Sequence, residues 1–137
     1  MKRTQIGWVF LVVVPLILIL VTFQNPDAKA WIIISAAAIV VLLLFYKLTI
    51  EVTDSYVKYS FGIGWIRGKY RLQDIVHCKP VTYTPMGWGI RWRPGVILFN
   101  VAGYKAIELK IKNKVRKVWI GTNCPQEIVA YIQKQIK

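Results

Sequence analysis

Few side chains in this 137-residue chain could carry covalent or metal chemistry. His77 is the single histidine and Cys78 follows it directly, while the other cysteine, Cys124, lies far along the chain. A thiolate nucleophile needs a base and an orienting group, and a metal needs further ligands at short spacing. Neither is supplied. Glu51, Asp54, Asp74, Glu108 and Glu127 are scattered, and most alternate with lysine in strand-like runs. Gly62-Ile63-Gly64 lacks the Lys-Ser/Thr that opens a helix behind a phosphate loop. The residues therefore point away from an enzyme, a metal site or a cofactor. Both cysteines are expected on the cytoplasmic side, where thiols stay reduced, so no disulfide is expected.

Binding chemistry is better represented. The formal charge is +13, yet 55% of the chain is hydrophobic. The densest aromatic-basic stretch is residues 84–94, TPMGWGIRWRP, with two tryptophans, two arginines and no carboxylate. Three chemistries suit it. Tryptophan favours the membrane–water interface, and each Lys or Arg near an anionic leaflet gains about 1 kcal/mol. Aromatics interleaved with arginine can also stack nucleic-acid bases. A large aromatic can equally plug the end of a core.

The elements around the stretch must choose. Residues 6–23 and 30–46 carry no charge. Each is about long enough to span ~30 Å of hydrocarbon as a helix, the form in which a backbone satisfies itself in lipid. The polar QNPDAK between them reads as a tight turn. The expectation is a transmembrane hairpin over 1–47, with helices at about 6–23 and 30–47. A secretory signal with Ala28-Lys29-Ala30 as its cleavage site is the rival, but the apolar run is longer than the usual ~7–15 residues of a signal core. Lys2 and Arg3 precede the hairpin, and sixteen of the nineteen basic residues follow it. The positive-inside rule then places both termini in the cytoplasm, in a multi-pass protein of the cytoplasmic membrane.

From residue 48 the pattern alternates with period two. Strands are expected at 48–53, 56–61, 65–72, 75–82, 95–100, 106–112 and 115–120. In the sixth, Ile107, Leu109 and Ile111 face inward, and Glu108, Lys110 and Lys112 face water. Thr122 or Asn123 caps a final helix with Pro125 in its first turn, and Ile128, Ile132 and Ile136 form its apolar stripe. The fold class is α+β: a helical hairpin, then an antiparallel sandwich of about seven strands over 48–137, closed by one amphipathic helix.

Seven strands and a closing helix is the order of a pleckstrin-homology (PH) domain. GWGIRW at 87–92, FNVAGYKAIELKI at 99–111 and IGTNCPQEIVAYI at 120–132 together resemble the small bacterial membrane proteins that carry a PH-like domain. The resemblance covers residue 48 onward and suits the hairpin. Ala102 stands where that family's turn usually has serine, and Cys124 where an acidic residue usually precedes the proline. It implies the architecture of a small bacterial membrane protein, but almost no chemistry.

If the strands run as a simple meander, the turns alternate between the membrane side and the cytoplasmic side. The membrane side then collects Trp65, Arg67, Trp88, Arg91, Trp92, Arg93, Lys112 and Lys114, with Arg116 nearby and no acid. Asp54 and Asp74 fall on the far side. These residues are the expected site for anionic lipid headgroups, with a protein partner on the remaining surface. A nucleic-acid partner is the alternative. Topology and anionic lipid already account for cytoplasmic basic residues, so charge alone does not carry it.

Overall fold

The structure is a computed structural model and describes residues 1–24, 27–83 and 89–136. The chain is α+β, with two N-terminal helices, two sheets and a C-terminal helix. Helix α1 runs Trp8–Thr22 and α2 runs Ala28–Phe45. Asp27 caps α2, its Oδ1 accepting from the Ala30 amide. Among the described residues, only α2 is both long and apolar enough to cross a membrane by its length and composition.

The N-terminus differs from the expectation. The helix expected from residue 6 begins at Trp8, and Lys2–Ile6 is a strand, β1, hydrogen-bonded to β2 (Lys47–Val52). Lys47, expected to end the second helix, instead opens β2 and pairs with Ile6. The whole hairpin is thus an insertion between two neighbouring antiparallel strands. Its base is closed where the Gly7 amide donates to the Tyr46 carbonyl at 2.7 Å.

The first sheet continues through β3 (Tyr56–Phe61) and β4 (Ile66–Arg71) in the order β1-β2-β3-β4. A single 3-10 turn, Leu72–Asp74, leads to β5 (Ile75–Thr82). The second sheet adds β6 (Gly89–Arg93), β7 (Val96–Asn100), β8 (Lys105–Ile111) and β9 (Lys117–Gly121), in the order β5-β8-β9-β7-β6. All seven expected strands are present, and β1 and β6 make nine among the described residues. The sandwich is not wholly antiparallel, because β7 and β9 pair in parallel. Strands β7 and β9 are two reversals apart along the chain, so they run the same way where they become neighbours.

Period-two side chains build the core between the sheets. Leu48, Ile50 and Val52, then Val57 and Phe61, meet Ile107, Leu109, Val118 and Ile120, all almost fully buried. Helix α3 (Pro125–Ile136) lays Ile128, Val129 and Ile132 into the same core and packs on β5 and β8.

Contacts fix which turns lie beside the helices. Gly62 donates to the Lys47 carbonyl and Ile63 to that of Leu43, so the β3–β4 turn leans on the end of α2. A side chain at Gly62 (φ +48°) would collide with the Leu43 carbonyl, so only glycine fits this close approach. Gly89 faces the Phe45 ring, and Val101 lies against Gly7. At the opposite end Leu72 donates to Ser55, and Lys112 to Asp74.

Candidate functional site

The expected site divides among three places. Trp65 and Arg67 stay beside the helices, on or next to the outer face of the first sheet. Arg91 and Arg93 lie on the outer face of the second sheet, with Trp92 on the other side of the same edge strand and 68% exposed. Lys112 and Lys114 belong to the end away from the helices, because Lys112 is tied to Asp74. There Lys114 sits 5.3 Å from the centre of the Tyr70 ring. Conversely, the turn after Asn100, expected far from the helices, packs against Gly7. Both reversals follow from β6, which inverts the direction of what comes after it. Trp88 lies outside the described residues.

The outer face of the first sheet is built rung by rung. Leu48, Ile50 and Val52 point inward, so Lys47, Thr49 and Glu51 point out; the same alternation exposes Lys58 and Ser60 on β3, and Arg67, Lys69 and Arg71 on β4. Registers align them as Lys2–Glu51–Lys58–Lys69 and as Thr4–Thr49–Ser60–Arg67. Six basic side chains (Lys2, Lys47, Lys58, Arg67, Lys69 and Arg71) thus share one face with a single acid, Glu51. A shallow recess of about 190 Å³ opens there, lined by Lys2, Lys47, Thr49, Glu51, Lys58, Ser60 and the 62–64 turn. Beside it Ile63 and Trp65 stand exposed, with Ile6 and Trp8 also exposed where the chain enters α1.

The second sheet is organised differently. Glu108, expected in water, is buried on its outer face. Trp119 donates its indole N–H to Oε2 at 2.8 Å, and Lys117 and Lys79 place their ammonium groups 3.4 and 3.8 Å from Oε1. Oε1 makes no hydrogen bond, so those lysines act on it through charge alone. Tyr83, Leu98 and Ala106 form a small apolar cluster there, which Trp119 covers. This is a structural face with charged edges.

Near the helices Gln5 is buried and donates to Asn123 Oδ1 at 2.8 Å. Asn123 Oδ1 thus serves Gln5, while Thr122 makes a turn ahead of α3, its hydroxyl accepting from the Cys124 amide at 3.3 Å. Both cysteines are free thiols, and burial pushes the Cys78 thiol upward in pKa.

No family model, curated protein or solved structure matches this chain.

A larger recess of about 640 Å³ lies at the far end, between Asp54, Arg71, Gln73 and Gln135. It mixes both charge signs and is open. The recess beside the helices is smaller, but it carries the one-sided charge. The residues that line it were within reach of the sequence. Lys58 and Ser60 line it, and Arg67 and Lys69 pair beside them; they alternate in strands joined by a short turn, which fixes their common face.

Proposed function

We propose that the chain is a membrane-anchored, PH-like binding module of the bacterial inner membrane that rests a basic sheet face on anionic lipid headgroups and holds its remaining surface for a protein partner. Binding, not catalysis, is its role.

The anchor follows from chain connectivity. Helix α2 is apolar on all sides and none of its residues is buried, which a core helix would not tolerate and lipid favours. If α2 crosses, its first residue is on the opposite side of the bilayer from β2. The chain leaves β1, which pairs with β2, so it must cross as well, and α1 is its route. Fifteen and eighteen residues reach roughly 22 and 27 Å at 1.5 Å per residue. That is somewhat short of ~30 Å, and the bilayer can thin to meet it. Trp8 and Trp65 at one end and Phe23 and Trp31 at the other suit the two interfaces.

The observation that carries the headgroup reading is the six-to-one excess of basic side chains on the first sheet's outer face, next to the end of α2. Headgroup contact cannot be for recruitment, since two membrane helices already hold the chain in place. It sets the orientation of the domain. The test uses the full chain in nanodiscs and counts retained lipids by native mass spectrometry. Retention of anionic over zwitterionic lipid is expected, reduced by Lys58→Gln with Arg67→Gln. Equal retention of both lipid classes would refute the reading.

A further inference from the structure

The recess on the outer face of β1–β3 has a more specific chemistry than its charge. One rung runs Thr4, Thr49, Ser60 and Arg67 across four strands. Thr4 and Thr49 bring their hydroxyl oxygens to 3.2 Å. Thr49 and Ser60 line the recess, with Lys47 on the helix side and Lys2 and Lys58 on the other. Thr4 and Arg67 continue the same rung on either side, Arg67 lining an adjoining recess with Lys58 and Lys69. Glu51 stands between Lys2 and Lys58 in that second rung and offsets one of them.

We infer that this recess is a subsite for the phosphate of a lipid headgroup, selective for a phosphomonoester over a phosphodiester. The inference rests on the headgroup reading above and sharpens it. Lysines alone supply a field without direction, and any anionic lipid satisfies a field. Hydroxyls and a guanidinium supply directed donors in a fixed row. A phosphomonoester offers three free oxygens and nearly two charges at neutral pH. A diester offers two oxygens and one charge, and its second ester arm has to leave a shallow recess. The depth also fits. The turn that closes the recess is hydrogen-bonded to Leu43 and Lys47 at the end of α2. The hydroxyl rung lies two residues further along the strand, roughly 7 Å from that level.

The experiment places the full chain in nanodiscs of zwitterionic lipid doped with phosphatidate or phosphatidylglycerol at matched total charge, and reads lipid retention by native mass spectrometry. Phosphatidate is expected to be retained about tenfold better, the ratio set by one directed hydrogen bond to a charged group. Thr49→Val with Ser60→Ala leaves the charge unchanged and is expected to bring the ratio to one, while both anionic lipids still outlast the zwitterionic one. If that pair melts the sheet, Thr4→Val on the edge strand is expected to lower the ratio in the same direction. A ratio near one in the unmodified chain overturns the subsite and leaves the headgroup reading standing. A ratio that survives the hydroxyl substitutions also overturns it. Loss of all anionic preference refutes the headgroup reading itself. Displacement of the lipid by glycerol 3-phosphate at equal concentration would assign the recess to a soluble phosphate and overturn the lipid source.

Discussion

Gly7 and Tyr46, thirty-nine positions apart, join backbone to backbone at 2.7 Å and close the base of the helical hairpin. The bond makes α1 and α2 one unit with the sheet, since β1 ends just before Gly7 and β2 begins just after Tyr46. A domain joined to its helices by one flexible strand could tumble. This one is joined by two paired strands, and its basic face keeps a fixed relation to the helices.

That junction has no room for a side chain. A Cβ at Gly7 would collide with the Phe45 carbonyl and lie 3.1 Å from Val101 Cβ. Gly7→Ala is expected to cost about 1–3 kcal/mol, the usual range for overpacking. Thermal unfolding in detergent measures it, and an unchanged midpoint would show that the junction is looser than described.

Two contacts tie β1 to the far side of the domain, and they should differ in weight. Arg3 and Glu127 form an ion pair with each side chain nearly half exposed. Glu127→Gln should therefore cost less than about 1 kcal/mol. Gln5 is buried, its Oε1 has no partner, and its amide relies on Asn123. Asn123→Ala leaves a second buried polar atom unpaired and should cost about 1–3 kcal/mol. Chemical denaturation of the two variants side by side decides whether burial or charge fastens the strand.

Glu108 and Trp119 make a comparable prediction on the second sheet. Glu108→Leu removes the acceptor of the indole N–H and the charge between Lys79 and Lys117. The expected cost is about 1–3 kcal/mol, with Glu108→Gln recovering most of it. The Trp119 indole proton, followed by NMR, should exchange faster in the leucine variant than in the glutamine one.

Alkaline pH should unfold the domain from its tyrosines. Burial raises the Tyr59, Tyr70 and Tyr83 phenols above the ordinary value of about 10. For Tyr59 the nearby Tyr70 adds to the rise. A pKa raised on folding contributes stability that is complete below the unfolded value and is lost as pH climbs through the folded one. Stability should therefore hold up to about pH 10 and fall above it. Tyr59→Phe should move the alkaline midpoint upward, read by circular dichroism with phenolate absorbance alongside. No shift would contradict the burial of that phenol.

Much of this was legible in the chain. The strand at 56–61 and the C-terminal helix show themselves through clean apolar periodicity, whereas 75–82 carries a weaker pattern and a register shift between Ile75 and His77. The two missed strands lack that signal. In KRTQI only Gln5 is buried, so no apolar alternation announces β1, and its basic residues read as topogenic charge. GIRWR hides in a stretch bounded by Gly89 and Gly95, both with positive φ, and looks like loop. The consequence reached further than one strand. Each missed reversal inverts every later turn, which is why Lys112 and Lys114 were expected at the wrong end. The basic face itself needs only the local register of β2, β3 and β4, and that much the short turns specify.

The central claim is that the hairpin crosses a membrane and returns, leaving β1 and β2 on one side. Single cysteines test it most directly. In a chain with Cys78→Ala and Cys124→Ser, a cysteine replaces Asp27 at the hairpin tip, Lys2 on β1, or Lys69 on β4. Each is exposed to a membrane-impermeant maleimide in sealed vesicles of known orientation. The account predicts that the Asp27 position labels from one face only and the Lys2 and Lys69 positions only from the other. Labelling of all three from the same face would contradict it.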